Sequence, residues 1–115
     1  MEERIEISIL LDYYGELLTD KQIEIMNMYY NEDLSLAEIA EINNTSRQAI
    51  HDTIKRCGKT LASYESKLNL YKKDCEFNLM RHSLLERLTK IDRSSLDSKN
   101  RDIINDIESI LNKDI

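Results

Sequence analysis

Two short segments with a polar turn between them indicate the fold: Leu34-Ser-Leu-Ala-Glu-Ile-Ala-Glu41 and Ser46-Arg-Gln-Ala-Ile-His-Asp-Thr-Ile-Lys-Arg56. In the first, Ser35 and Glu38 have the spacing of a capping box, in which each side chain satisfies the other's backbone N–H. Asn43-Asn44-Thr45 then interrupts the helix, because Asn tolerates the left-handed conformation of a helix end. The second segment begins with a hydroxyl cap. Two capped helices joined by a short turn predict a helix-turn-helix.

The residues before this unit predict two further helices. Apolar side chains recur every four residues between positions 4 and 18, which is typical of one helix face. Thr19-Asp-Lys-Gln22 forms a second capping box and begins a helix that runs to about Asn31. In the short helix that follows, the inward residues are predicted to be Leu36, Ile39, Ala40 and Ile42.

The helix that starts at Ser46 is predicted to be long. Its apolar residues alternate in spacings of four and three, namely Ile50, Ile54, Cys57, Leu61, Tyr64, Leu68, Tyr71 and Cys75. A second stripe then runs from Phe77 to Ile91, so a stutter or a break is predicted near residues 74–78. A last helix contains the apolar residues between 103 and 111. Both packing within the chain and pairing with a second copy fit these C-terminal helices.

Composition supports an all-α fold and narrows the functional classes. The 115 residues include no Pro and two Gly, although sandwiches and barrels need many turns that recruit both. No apolar run approaches the ~20 residues of a membrane span, and no secretory signal is visible, so we expect a cytoplasmic protein without membrane insertion. Cys57 and Cys75 form no CxxC pair, and both are predicted to be reduced core residues.

Charge is distributed unevenly along the chain. The net charge is −6, yet residues 47–73 carry 7 basic and 2 acidic groups, whereas residues 1–46 carry 2 basic and 11 acidic groups. A basic segment inside an acidic protein is a candidate electrostatic footprint for a nucleic acid, and a solvated helix face is the simpler alternative.

The exposed face of the second helix of the motif contains the candidate binding residues. Arg47 and Gln48 at its start suit bidentate contacts with guanine and adenine edges. Lys55, Arg56 and Lys59 lie further along, where phosphate contacts are expected. The candidate nucleic-acid-binding set is Ser46, Arg47, Gln48, His51, Asp52, Lys55, Arg56 and Lys59. The overall acidity opposes tight unaided DNA binding, and helix-turn-helix modules also dock on proteins.

No constellation in the sequence predicts catalysis, a metal or a cofactor. His51 and His82 are 31 residues apart and lack a partnering ligand set. There is no Gly-rich phosphate loop, and the polar cluster around His51 is expected to be solvated. We therefore expect a binding protein rather than an enzyme.

Several motifs in order resemble the YlxM family of small proteins from Gram-positive bacteria. They are Thr19-Asp-Lys-Gln22, Asp33-Leu-Ser-Leu-Ala-Glu-Ile-Ala-Glu41, Ser46-Arg-Gln-Ala49 and Tyr64-Glu-Ser-Lys-Leu68. The resemblance implies a helix-turn-helix like that of sigma-factor region 4 and an association with the signal recognition particle pathway. Its recognition-helix positions correspond to Ser46, Arg47, Gln48, Asp52, Lys55 and Arg56. Two positions depart from the pattern, since Thr45 replaces an apolar turn residue and Asn44 stands where Gly is common.

The sequence thus predicts an all-α fold with two parts. Residues 1–63 form a sigma region 4-like (winged-helix-superfamily-like) helix-turn-helix head, and residues 64–115 form a helical C-terminal extension. The leading hypothesis is an accessory or regulator of the signal recognition particle pathway that docks on the particle's RNA or GTPase. The alternatives are a transcription regulator reading DNA with Arg47, Gln48 and His51, and a protein-docking module whose contact is the acidic segment 1–46. A homodimer through the C-terminal helices stays open.

Overall fold

A computed structural model describes residues 3–113, in which six α-helices and two short 3-10 turns are connected by brief loops. No strand occurs in this range, so the predicted all-α class is confirmed. The helices are α1 (Glu3–Tyr14), α2 (Asp20–Tyr30), α3 (Leu36–Ile42), α4 (Arg47–Leu68), α5 (Leu70–Thr89) and α6 (Ser98–Leu111), with the 3-10 turns at Gly15–Leu17 and Arg93–Ser95.

The chain divides into an N-terminal unit, Met1–Tyr71, and a C-terminal unit, Lys72–Ile115. In the N-terminal unit, α1, α2 and α3 all pack against α4. The side chains between them form one core, which consists of Leu10, Leu11, Tyr14, Leu18, Ile25, Met26, Ile39, Ala40, Ile50, Ile54, Cys57 and Leu61. The unit extends beyond the boundary predicted at residue 63, because Tyr64 and Tyr71 pack on this core.

Caps and turns set the ends of the helices in the N-terminal unit. Both predicted capping boxes are present, at Thr19 before α2 and at Ser35 before α3. The hydrogen bonds to the Glu38 carboxylate in the second box lower the pKa of that group. Asn44 adopts a left-handed φ of 51° between α3 and α4, as the Asn-rich turn predicts. Sequence therefore specifies the helix-turn-helix corner through local hydrogen bonds.

Helix α4 ends earlier than the apolar repeat predicts. Asn69, with φ 54° and ψ 32°, is a left-handed C-cap, and α5 begins at the next residue. The break predicted near residues 74–78 is therefore wrong. The Tyr14 hydroxyl accepts a hydrogen bond from Leu70 N at 3.0 Å and donates one to Glu65 Oε1 at 2.5 Å. Because Leu70 N lies in the first turn of a helix and has no partner there, the Tyr14 hydroxyl stabilises the new helix start.

Some residues of the predicted stripes are exposed. Ile42 is 57% exposed, so the prediction that it faces inward is wrong. The buried residues of α3 are Ile39 and Ala40, and the rotation of the helix places Ile42 on a different face. Cys75 is exposed as well, whereas Cys57 is buried, so only one of the two predicted core cysteines lies in the core.

The C-terminal unit is a pair of helices in which α6 folds back along α5. Arg93, in the 3-10 turn between the two helices, links them. It forms an ion pair with Glu108 and donates to Asn105 Oδ1 at 3.1 Å, both in α6, and it donates to the carbonyl oxygen of Leu88 in α5 at 3.4 Å. Arg81 Nη1 donates to the carbonyl oxygen of Leu111 at 3.2 Å. Asp97 caps α6 by accepting from Asn100 N at 2.8 Å. None of the residues described in this unit is buried.

Candidate nucleic-acid interface

The core of the N-terminal unit determines which face of α4 meets solvent. Four α4 residues are buried at spacings of four, three and four, namely Ile50, Ile54, Cys57 and Leu61. Residues on the opposite side of a helix with this periodicity must point outward. All eight predicted binding residues, from Ser46 to Lys59, are exposed there. The structure therefore brings the predicted set together on one helix, although binding itself stays a prediction.

The start of α4 is fixed by a cap and presents three polar side chains. Ser46 Oγ accepts a hydrogen bond from Ala49 N at 3.0 Å, so this hydroxyl is already engaged in capping. Arg47, Gln48 and His51 line an open hollow of about 380 Å³ together with one apolar residue of α3, Leu36. The hollow joins both helices of the motif, and its polar and apolar groups suit contact with the edge of a base.

Asp52 organises the polar side chains around it. Its Oδ1 accepts from Gln48 Nε2 at 3.0 Å and lies 3.7 Å from His51 Nδ1. The carboxylate therefore restrains the Gln48 amide, since side chains four residues apart on a helix are neighbours. Asp52 was predicted as part of the binding set, and its position between the two groups favours a positioning function over direct contact with phosphate.

A row of cations continues along the same face. Lys55, Arg56 and Lys59 line a shallow hollow of about 280 Å³ with Asp52 at its end. Across residues 3–113, the side chains of these three cations and of Arg47 form no hydrogen bond or ion pair. Four unpaired cations on one helix face can each donate a hydrogen bond to an anionic oxygen without losing an internal contact.

Two carboxylates that sequence patterns did not single out border this row. Glu3 and Glu6 in the first turn of α1 line a hollow of about 370 Å³ together with Lys55 and Lys59. They lie about fifty residues away in sequence, and only the packing of α1 on α4 brings them there. Negative charge beside the cations weakens their attraction for a polyanion. The sequence shows that residues 1–46 are acidic, but it does not show that Glu3 and Glu6 lie beside Lys55 and Lys59.

Other site types find little support in the part of the chain that the structure describes. Over residues 3–113, no group of three or more His, Cys, Asp or Glu side chains is placed to hold a metal ion. No helix in that range combines the length and the apolar character needed to cross a membrane.

Comparison with known proteins places the chain in a family. Residues 1–107 match the model of the family described as "Putative helix-turn-helix protein, YlxM / p13 like". The chain belongs to this family. The YlxM resemblance predicted from the motifs is thereby confirmed, and so is the helix-turn-helix character of α3 and α4.

Relatives of the family match over nearly the whole chain. A UPF0122 protein of Clostridium perfringens strain 13 is 55% identical over 113 residues, covering 97% of this chain and 99% of the relative. One of Clostridium novyi strain NT is 53% identical over 112 residues, covering 97% and 95%. One of Clostridium kluyveri is 64% identical over 80 residues, covering 68% and 72%. These names describe membership of a family and no binding target.

Proposed function

We propose that this chain is a non-enzymatic, cofactor-free binding protein that docks on the RNA of the signal recognition particle, or on the RNA-bound particle GTPase, through the exposed face of α4. The observation that carries the proposal is the row of unpaired cations formed by Arg47, Lys55, Arg56 and Lys59. Such a row suits phosphate oxygens, and RNA presents them together with 2′-hydroxyl groups. In this proposal the protein acts in the cytoplasm.

The choice of RNA target rests on family resemblance, and the choice of surface rests on geometry. A chain with a net charge of −6 gains little from long-range attraction to any nucleic acid. Glu3 and Glu6, which lie beside Lys55 and Lys59, further weaken the attraction of this surface for a nucleic acid. Because charge attraction is weak, the target must supply further contacts. A folded RNA with a bound protein can supply them, whereas duplex DNA of uniform shape offers mainly phosphate charge.

The test is fluorescence anisotropy with three labelled probes: the particle RNA, a scrambled RNA of equal length, and duplex DNA. The double variant Lys55→Glu/Lys59→Glu removes two of the proposed phosphate contacts. We expect at least tenfold weaker binding to the particle RNA and a salt dependence reduced by about 0.7–0.9 in log–log slope per lost contact. Lys21→Glu/Lys90→Glu, the same total charge change at two exposed lysines outside α4, is the matched control and should bind as the native protein does.

The outcomes separate the candidate functions. Preferential binding to the particle RNA, lost in the double variant and kept in the control, supports the proposal. Equal binding to scrambled RNA would overturn the particle assignment. Absence of binding to any nucleic acid, combined with capture of the purified particle GTPase, would favour the protein-docking alternative.

DNA reading is the second candidate function, and one specific observation favours it. Arg47, Gln48 and His51 surround the hollow that also contains Leu36, at the end of α4 that enters a major groove in helix-turn-helix proteins. Selection from a random-sequence duplex library would then yield a defined site. Arg47→Ala and Gln48→Ala would relax its sequence preference, with about 1–3 kcal/mol of discrimination lost at each contacted base.

A further inference from the structure

The C-terminal unit exposes an extended apolar face. Seven large apolar side chains on or beside its two helices remain between 39% and 64% exposed: Phe77, Met80, Leu84, Ile91, Ile103, Ile107 and Ile110. Those on α5 recur at the three- and four-residue spacing of one helix face, and so do those on α6. An apolar face of this kind on each of two packed helices requires a physical explanation.

The two stripes lie on the same side of the helix pair. Leu84 and Ile91 from the α5 side and Ile107 from α6 line one open groove of about 410 Å³, and the half-buried Leu88 and Leu111 form its floor. Arg81, which donates to the Leu111 carbonyl oxygen and so joins α5 to α6, is half-buried, and so is Ile104 next to the α6 stripe. The groove and the stripes beside it therefore form one continuous surface, which we name the tail face.

The size of the tail face fits a specific protein interface. Its seven side chains leave on the order of 650 Å² of largely apolar surface, compared with ~800 Å² per partner in a standard interface and 300–600 Å² for the largest patch on a typical monomer. Moreover, two helices with no buried residue do not have a core of their own. A second layer of helices would supply one.

We propose that the tail face is covered by the tail face of a second copy of this chain, so that the two helix pairs form a four-helix bundle. Residues 74–115 carry 7 basic and 9 acidic groups, a near balance that allows self-association, whereas residues 1–46 carry 2 and 11. Arg87 lines the groove, and within residues 3–113 its side chain forms no ion pair or hydrogen bond, so a carboxylate of the second copy can pair with it.

A symmetric pair of such faces is self-complementary, because a two-fold axis places each apolar stripe against an apolar stripe of the other copy. Two amphipathic helix pairs packed in this way form the core of a four-helix bundle. This inference concerns assembly and does not depend on the proposed function of α4. Each dimer would carry two helix-turn-helix motifs, one from each copy of the chain.

Sedimentation equilibrium of the full chain tests the inference. We expect the native protein to sediment at twice the 13.5 kDa chain mass at micromolar concentration. Leu84→Glu, in the groove wall, should weaken association at least tenfold and shift the mass to that of one chain. Leu79→Glu is the matched control, because Leu79 is 74% exposed on α5 and lies outside the groove; this variant should remain a dimer.

Circular dichroism shows whether Leu84→Glu keeps its helices. If it does not, Ile107→Ala replaces it, since this smaller change removes apolar contact without adding a charge and should weaken association at least threefold. A native protein that stays at 13.5 kDa at about 100 μM would overturn the proposal. Equal dissociation by the Leu79 and Leu84 variants would overturn it too, because association would then not depend on the tail face.

Discussion

The N-terminal and C-terminal units carry similar helical patterns of apolar residues, yet those residues have different surroundings. In the N-terminal unit, twelve hydrophobic residues are buried, and three of them, Met26, Ile39 and Leu61, are completely inaccessible to solvent. In the C-terminal unit, none of the described residues is buried. The number of packed neighbours explains the contrast, because three helices surround α4, whereas the part of α5 in the C-terminal unit has α6 as its helical neighbour.

The contrast shows that an apolar stripe identifies the face of a helix and leaves its partner unspecified. Hydrophobic burial stabilises in proportion to the area removed from water, at ~25 cal/mol per Å². The N-terminal unit obtains this stabilisation within one chain. The C-terminal unit obtains little hydrophobic stabilisation within one chain. Its stability should therefore depend more on association with a second copy than the stability of the N-terminal unit does.

Truncation of matched leucines should give the largest effect and test the contrast directly. Leu61→Ala removes a completely buried side chain and should lower the free energy of unfolding by about 2–5 kcal/mol. Leu84→Ala removes a side chain that is 42% exposed and should cost less than half as much in dilute solution. Urea denaturation of both variants measures the difference. Equal costs in dilute solution would contradict the contrast, and a gap that narrows with concentration would support coverage of Leu84 by a second copy.

The hydroxyl at the junction of α4 and α5 should give the next largest effect. Tyr14→Phe removes the hydrogen bonds to Glu65 and Leu70 N and should lower the Tm of the N-terminal unit by roughly 4–8 °C. Burial, together with the hydrogen bond to the Glu65 carboxylate, raises the pKa of Tyr14 above its ordinary value of 10. The native protein therefore keeps this contribution below pH 10 and loses it as pH rises through the raised pKa.

Thermal unfolding at a series of alkaline pH values measures both parts of that prediction. The difference in Tm between native protein and Tyr14→Phe should be constant below pH 10 and should shrink above it. A difference that stays constant at all pH values would show that the hydroxyl is not the titrating group. Tyr64→Phe is a suitable control, because Tyr64 packs beside Tyr14, with ring centroids 6.0 Å apart.

Removal of matching N-caps should give the smallest effect. Ser35→Ala at α3 and Asp97→Ala at α6 each delete one side-chain acceptor, and such a loss costs about 1 kcal/mol. We expect Ser35→Ala to lower the urea midpoint of the whole N-terminal unit, because α3 packs on α4. Asp97→Ala should accelerate amide exchange in α6 alone. Exchange in α1 or α2 that also accelerates in the Asp97 variant would contradict separate stabilities for the two units.

The local features of the fold follow from sequence, and the long-range ones do not. Both capping boxes and the left-handed Asn44 depend on hydrogen bonds and φ preferences within a few residues, so the sequence predicts them correctly. The apolar repeat did not predict the helix break at Asn69. The repeat continues through that residue, and the stabilising contact comes from Tyr14, more than fifty residues earlier.

The candidate site shows the same division. Periodicity correctly predicts that residues 46–59 present their polar side chains on the solvent side of α4, because the buried residues of that helix fix its rotation. The carboxylates of Glu3 and Glu6 beside Lys55 and Lys59 could not be located in this way. Their position depends on how α1 crosses α4, and a pattern within one helix contains no information about that crossing.

The hydrogen bond from Leu70 N to the Tyr14 hydroxyl also has a consequence for the order of folding. It joins residues 56 positions apart, whereas the contacts within a helix join residues three or four apart. Closing so long a loop costs chain entropy, which is repaid only once α1 and α4 have packed together. The first turn of α5 is therefore stabilised by Tyr14 only after the packing of α1 on α4 has brought the Tyr14 hydroxyl to Leu70 N.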